Sequence, residues 1–299
     1  MSGRGKSAKT LATIAAAIKI LEEIQPATVR AVCYRLFVLN FTTGMQKSPT
    51  NIISRLLVEQ RELGAIPWEY IVDETREAET IASWDNPQAL LKSAERQYRK
   101  DHWATQPRRV EVWSEKGTVR GTLAPVLRKY GVTFRVMHGY GSATALNDIA
   151  EDSMSRDATL EVLYVGDWDP SGLHMSEVDL PARLERYGAD VELNRVALTA
   201  ADVAKMPRKT GFDVATKSKD PRYKWYVENY GRRCWELDAL SPVTLRDRVE
   251  VEIKKRIDVD RWNHSLMVEA VEIGNMKTFL ENMPTSISGQ ANKYRDGKK

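Results

Sequence analysis

The sequence is 299 residues long, with 42% hydrophobic and 29% charged residues. That balance allows a buried core and excludes a disordered chain, and the length suggests about two domains at ~100–200 residues each. Lys plus Arg is 45 and Asp plus Glu is 41, a formal net charge of +4, too mild to mark a nucleic-acid binder without a local patch. No apolar run approaches the ~18–20 residues of a membrane helix, and no long apolar stretch follows the basic start MSGRGKSAKT. Neither a membrane span nor a secretory signal is expected. Cys33 and Cys234 cannot build a disulfide framework or a zinc site alone, which fits a reducing, cytoplasmic compartment. His102, His138, His174 and His264 show no ligand spacing.

Residues 8–24 place Leu11, Ile14, Ile18 and Leu21 at helical spacing, and Gln25-Pro26 ends that helix. Thr28 precedes a second helix, VRAVCYRLFVL, and after the loop NFTTGMQKS a third is expected to start at Pro49 and run to Gly64. AIPWEYIVDE then reads as extended. Three short helices followed by a strand-rich hairpin is the layout of a winged helix, a helix-turn-helix variant commonly used for DNA binding. A small helical domain with no DNA role is the alternative. Residues 78–107 read as a helical connector rich in Lys and Arg.

From residue 108 the period changes. RRVEVWSE, VTFRVMHG, TLEVLYVG and ADVELNRVALT read as strands, and TLEVLYVG, the most continuously apolar, as the sheet centre. Helices are expected between them, with Pro125 bending or delaying the first. This alternation predicts an α/β fold with a mostly parallel, Rossmann-like sheet. Beyond residue 200 the chain is irregular and basic, then helical over SPVTLRDRVEVEIKKRI, with a polar tail, SISGQANKYRDGKK.

Ligands of open α/β sheets lie at the carboxyl ends of the strands. Glu115 ends the first strand of this unit, and Asp167 and Asp169 follow the third, in GDWDPSG. Three carboxylates converging there repel one another and call for a cation, and oxygen ligands suit Mg²⁺, which can hold a phosphate and stabilise an attacking or leaving oxygen. Ser171 is placed to cap the helix that follows. The alternative is that both aspartates are ordinary loop and cap acids.

In the second helix Val29, Val32, Cys33, Leu36 and Phe37 make an apolar stripe, with Tyr34 ~130° from its centre and Arg30 one turn before it. A phenol beside a guanidinium can act as a nucleophile on phosphorus if something helps it ionise, since its ordinary pKa is ~10. An amphipathic surface tyrosine is the bland alternative. Lys205, Arg208, Lys209, Lys217, Lys219, Arg222 and Lys224 surround Tyr223, Trp225 and Tyr226, a mixture that suits nucleic acid or a solvated loop. Lys209, Lys217 and Arg222 are the expected DNA contacts there, with Lys47 and Arg55 in the first domain; Arg4, Lys6 and Lys9 form either a DNA-seeking arm or a soluble tail.

SEKG at 114–117, HGYGS at 138–142 and GDWDPSG at 166–172 resemble a Toprim domain, and the DWDPSG form is similar to that of topoisomerase VI A subunits and the meiotic double-strand-break proteins. Those proteins join a winged helix to a Toprim domain in this order, with a nucleophile in an Arg-x-x-x-Tyr motif that Arg30 to Tyr34 match in register; Cys33 stands where a relative often has Tyr or Phe. The resemblance implies a winged helix over 1–77, a connector over 78–107, a Toprim domain over 108–240 and a C-terminal helical extension over 241–299. It further implies a homodimer that cleaves double-stranded DNA, with Tyr34 forming a 5′-phosphotyrosyl link, Arg30 supporting it, and Glu115, Asp167 and Asp169 binding Mg²⁺. A separate ATPase B-type subunit is an implied partner; GRGKS lacks the first glycine of a P-loop and has no strand before it. The short chain resembles stand-alone relatives of prokaryotic, phage or plasmid origin, cytoplasmic or nucleoid-associated. A Toprim nuclease using metal-activated water, with Tyr34 structural, and a non-catalytic DNA-binding protein are the alternatives.

Overall fold

The computed structural model of the chain describes residues 6–72, 82–137 and 142–282. Arg4, most of HGYGS and the polar C-terminal tail lie outside the described residues. The chain divides into two units: Met1–Glu77 with Pro107–Ile257, and Ala78–Gln106 with Asp258–Lys299.

The first unit opens with α1 (Ala8–Ile24), α2 (Val29–Val38) and α3 (Lys47–Glu62). Ser7 and Thr28 cap α1 and α2 by accepting the N–H groups of Thr10 and Ala31, each at 3.2 Å. Leu21, Val32, Leu36 and Leu57 seal the core the three helices share. α3 begins at Lys47, ahead of Pro49, which the first turn tolerates because its N–H groups have no partner within the helix. Gly64, with φ +76°, follows the end of α3.

Of the strand-rich hairpin expected after α3, residues 73–81 lie outside the described residues. Pro67 has φ −57°, and Trp68–Tyr70 makes one 3-10 turn. The backbone beyond it pairs in parallel with the residue before the α2 cap: Ala27 N–H donates to Tyr70 O at 3.0 Å and Val72 N–H to Ala27 O at 3.1 Å. Arg61 reinforces this course, donating to Trp68 O at 2.6 Å with its guanidinium over the Trp68 ring. α4 (Pro87–Gln97) belongs to the second unit.

β1 (Arg108–Ser114), β2 (Thr133–Val136), β3 (Thr159–Val165) and β4 (Val191–Ala197) make an all-parallel sheet in the order β2-β1-β3-β4, an α/β arrangement compatible with a Rossmann-like domain. α5 (Val119–Tyr130) begins well before Pro125, so the proline lies inside the helix rather than delaying it. α6 (Ala143–Met154) is capped by Ser142, which accepts Ala145 N–H at 3.0 Å. After β3 the chain enters α7 (Pro170–His174), a π turn at Met175–Asp179 and α8 (Leu180–Arg186). β3 is central and buried, as its apolar run requires: Leu160, Val162 and Tyr164 pack with Trp113, Leu146 and Leu184.

The basic region beyond β4 is more ordered than its sequence suggests. It holds α9 (Ala200–Lys205) and a two-stranded antiparallel ribbon of β5 (Phe212–Asp213) and β6 (Arg233–Cys234) flanking α10 (Tyr223–Tyr230). α11 (Pro242–Lys254) packs against α5 and β4. Arg248 of α11 donates to Val196 O at 3.1 Å and to both oxygens of Asp202, and Arg246 donates to Ile24 O at 3.2 Å.

The second unit pairs α4 with α12 (Val259–Glu281). Gln106 and Asp258 exchange hydrogen bonds where its two segments meet, and His102 sits between Ser265 and the Trp262 ring. Among the described residues no helix is long and apolar enough to cross a membrane.

Candidate functional site

β1 and β3 are neighbours, and Ser114 pairs in register with Val165 at their carboxyl ends. The residues that follow, Glu115 on one strand and Gly166-Asp167 on the other, therefore leave the sheet side by side. Asp169 sits at the entry to α7, where its Oδ1 accepts Gly172 N–H at 2.8 Å. Asp169, not Ser171, is the cap; Ser171 Oγ instead lies 3.4 Å from Glu115 Oε1. Gly172 permits the tight turn, since a Cβ there would meet Asp167 O at 2.5 Å. Glu115 senses its surroundings: burial first, then the Asp169 and Asp167 charges, push its carboxyl above its usual range.

Asp167 and Asp169 are both buried, and each is held from two sides. Asp167 Oδ1 accepts Leu237 N–H at 2.8 Å, and its Oδ2 pairs with Lys116 Nζ at 2.6 Å. Asp169 Oδ2 pairs with Lys217 Nζ. Burial works against both ammonium charges, but the facing carboxylates outweigh it and hold the two lysines above their ordinary range. Three carboxylates are a donor set suited to a hard cation such as Mg²⁺. Among the described residues, however, no three His, Cys, Asp or Glu side chains are arranged to hold a metal ion.

Arg195, from β4, supports the same turn from below. It donates to Leu198 O at 2.8 Å, Gly166 O at 3.1 Å, Gly172 O at 3.2 Å, Ser176 Oγ at 2.7 Å and also to Asp167 O. Backbone oxygens of Gly166, Asp167, Gly172 and Leu198 are thereby gathered on one guanidinium, which holds the turn together with the Asp169 cap.

Tyr34 departs from the helical-wheel expectation. Only 4% of its surface is exposed, because the segment around Thr210 lies over it. Its hydroxyl donates to Thr210 O across 3.4 Å, a long and weak bond. Tyr34 still lines a cleft of about 470 Å³, walled by Arg30, Phe37, Gln46, Lys209, Lys217 and Glu236 among others. Arg30 lines the same cleft with its guanidinium engaged by two acids: its Nε donates to Asp238 Oδ2 at 2.7 Å and its Nη2 to Glu236. Burial, opposed by the Thr210 bond and reinforced by the Asp238 and Glu236 charges, raises the phenol above its ordinary pKa. Cys33, Tyr34's neighbour in the chain, is buried, and burial pushes its thiol up to about 11.

The expected DNA contacts fall into three groups. Lys209 is exposed on the cleft wall, with Nζ 3.5 Å from Val38 O. Lys217 lines the same cleft but turns inward to Asp169. Arg222 is closed on Asp220 through two bonds of 2.6 and 2.9 Å. Lys47 and Arg55 are exposed on α3. The structure adds Lys116, Arg195 and the segment 235–238, none of which the sequence singled out. That segment bridges Trp168 by backbone bonds at Trp235, binds Asp167 at Leu237 and holds Arg30 through Glu236 and Asp238. Its alternation of apolar and acidic residues, Trp-Glu-Leu-Asp, was the available signal.

No protein-family model, no curated protein and no solved structure matches the chain.

Proposed function

We propose that the chain is a metal-dependent DNA-cleaving enzyme of the topoisomerase VI A type, a short stand-alone form acting on double-stranded DNA as a homodimer. The observation that carries this reading is the meeting of Glu115 with the Asp167-x-Asp169 turn at the carboxyl edge of a parallel sheet, with Asp169 reached by a lysine of the cleft that holds Tyr34. In this reading the sheet is a Toprim domain, and the three N-terminal helices are a winged-helix module without a described wing.

Glu115, Asp167 and Asp169 would hold the divalent ion, which supplies a Lewis acid for the phosphate oxygens. The chain's own residues do the rest. Lys209 and Lys217 draw a phosphodiester into the cleft. Tyr34 loses its proton to solvent water and its oxygen attacks phosphorus. A new phosphorus–oxygen bond forms to the tyrosine, the bond to the 3′ oxygen breaks, and the departing 3′ hydroxyl takes up a proton. In the dimer, each tyrosine serves the acids of the other copy.

The burial of Tyr34 and the engagement of Arg30 favour a second reading, in which a metal-activated water cleaves the backbone and Tyr34 is structural. Both readings require the acids. Supercoiled plasmid incubated with Mg²⁺ or Mn²⁺ should be cut or relaxed by the wild-type chain and not by Asp169→Asn. Equal cutting by the two proteins contradicts both.

A further inference from the structure

We propose that the Tyr34 cleft is a pocket for one unpaired nucleotide, whose base lies against Phe37, Met45 and Phe212 and whose phosphate meets Lys209. This rests on the reading that a DNA strand enters the cleft, and adds that the strand leaves its duplex locally to do so. It calls on no metal ion.

The first argument is size and wall chemistry. At about 470 Å³ the cleft has the dimensions of a small-molecule site. A double helix is far wider and keeps its bases stacked and paired, so it can lie only across the mouth. Phe37 on α2, Met45 just before α3 and Phe212 on β5 line the cleft, and all three are half-buried. The Phe37 ring meets Tyr34 edge-on with centroids 6.3 Å apart, and Lys217 Nζ stands 5.6 Å from the Phe212 centroid. Neither ring has a flat stacking partner among the described residues. Rings and a thioether demand no hydrogen bonds, and every base has a π-face, so such walls accept a base of any sequence once it is out of the stack. A base inside a duplex has both faces covered by its neighbours and cannot use them. Gln46 and Thr216, both exposed on the cleft lining, supply donors and acceptors for the edge of that base.

The second argument is charge. Three cations line the cleft, and two are already committed: Arg30 to Asp238 and Glu236, and Lys217 to Asp169. The third, Lys209, is exposed and pairs with no acid among the described residues; its Nζ lies 3.5 Å from the Val38 carbonyl. A lysine is a flexible point charge that can turn to a phosphate without moving the backbone. A surface that tracks a duplex neutralises many phosphates at once. One uncommitted ammonium group beside aromatic walls matches one phosphate and one base. Seating that base also brings the adjoining phosphodiester beside Tyr34, which a duplex lying across the mouth does not achieve.

The test follows binding of fluorescein-labelled DNA to the full-length protein by anisotropy, in EDTA. Three probes share one sequence: a single strand, a paired duplex, and that duplex with a short unpaired bubble. Single strand and bubble should bind about tenfold tighter than the paired duplex, and Phe37→Ala or Phe212→Ala should each remove about that factor, the worth of one stacked base. Both ring variants should leave the paired duplex unchanged, whereas Lys209→Gln should weaken every probe. Trp68→Ala, which removes an exposed aromatic outside the cleft lining, should match wild type. Circular dichroism checks that each variant is folded, and Phe212→Leu, which keeps apolar bulk without the ring, serves should Phe212→Ala fail to fold. Equal affinity for paired and unpaired probes, or single-strand affinity unmoved by the ring variants, overturns the pocket; the DNA reading stands if Lys209→Gln still weakens the duplex. Absence of binding to all three probes overturns both. Thymidine monophosphate bound in calorimetry, with no oligonucleotide bound, gives the cleft to a free nucleotide and overturns the strand.

Discussion

The backbone N–H of Leu237 donates to Asp167 Oδ1 over 2.8 Å, between two side chains, Glu236 and Asp238, that both hold Arg30. One short segment thereby ties an acid of the sheet edge to Arg30 of α2. Arg30→Ala strips the cover from the Asp238 carboxylate, which burial already drives upward. Loss of one partner of such a pair costs ~1–3 kcal/mol, and the lower half of that range applies because Arg30 is about two-fifths exposed. Urea unfolding should show the loss, and Arg30→Lys, without the planar fork, should recover only part of it. An unchanged midpoint for Arg30→Ala would contradict this linkage.

Arg195 satisfies several backbone carbonyls around the Asp-x-Asp turn at once. Arg195→Met leaves these groups without their donor in the interior. A single buried polar group left unpaired costs ~1–3 kcal/mol, so a loss of at least ~3 kcal/mol is expected. Thermal unfolding followed by circular dichroism measures it. Gly172→Ala should damage the same turn by a different route, since its Cβ overlaps Asp167 O; overpacking of this kind costs ~1–3 kcal/mol.

Lys209 and Arg222 separate two meanings of a basic residue. Lys209 is exposed on the cleft wall, whereas Arg222 is neutralised by Asp220. In the DNA-binding reading, Lys209→Gln should weaken duplex binding and lower the salt dependence by about one phosphate contact. Arg222→Gln should leave that slope unchanged and instead loosen the turn at 220–222. Fluorescence anisotropy across a salt series distinguishes the two, and equal slopes for wild type and Lys209→Gln would remove Lys209 from the interface.

Glu250 on α11 accepts from Lys129 Nζ and Tyr130 Oη of α5, each at 2.7 Å. The Lys129 and Tyr130 bonds hold its carboxyl down at about 2, below the ~4.3 of an unfolded glutamate. A folded pKa below the unfolded one contributes stability that is complete above the unfolded value and fades as pH falls through the folded one. Glu250→Gln should therefore lower the urea midpoint at pH 7 and change it little near pH 2. Equal destabilisation at both pH values would contradict the ion pair as the cause.

Periodicity made the sheet and the helices around it legible, because each strand and helix carries its own burial pattern in adjacent residues. The run Leu160 to Val165 announced a central strand, and Glu115 and Asp167 followed from strand ends. Other features depend on chain far away. The angle of Tyr34 on its helix pointed it outward, but Thr210, 176 residues later, supplies the lid that buries it. Arg30 could be seen beside Tyr34, whereas its carboxylate partners at 236 and 238 could not. Lys217 read as a surface cation, and only the fold reveals that it faces Asp169. The residues after Pro67 had strand composition, and the backbone at Tyr70 and Val72 pairs with Ala27, a partner more than forty residues earlier that no local pattern announces.

The central claim is that Tyr34 becomes covalently joined to DNA. The most direct measurement incubates a labelled duplex with protein and Mg²⁺ or Mn²⁺, quenches in detergent and resolves protein-bound label on a denaturing gel. A metal-dependent adduct carrying a 5′-phosphotyrosyl link is expected from the wild type and none from Tyr34→Phe. Cutting by Tyr34→Phe at the wild-type rate, with no adduct from either protein, would contradict the claim and assign the chemistry to water.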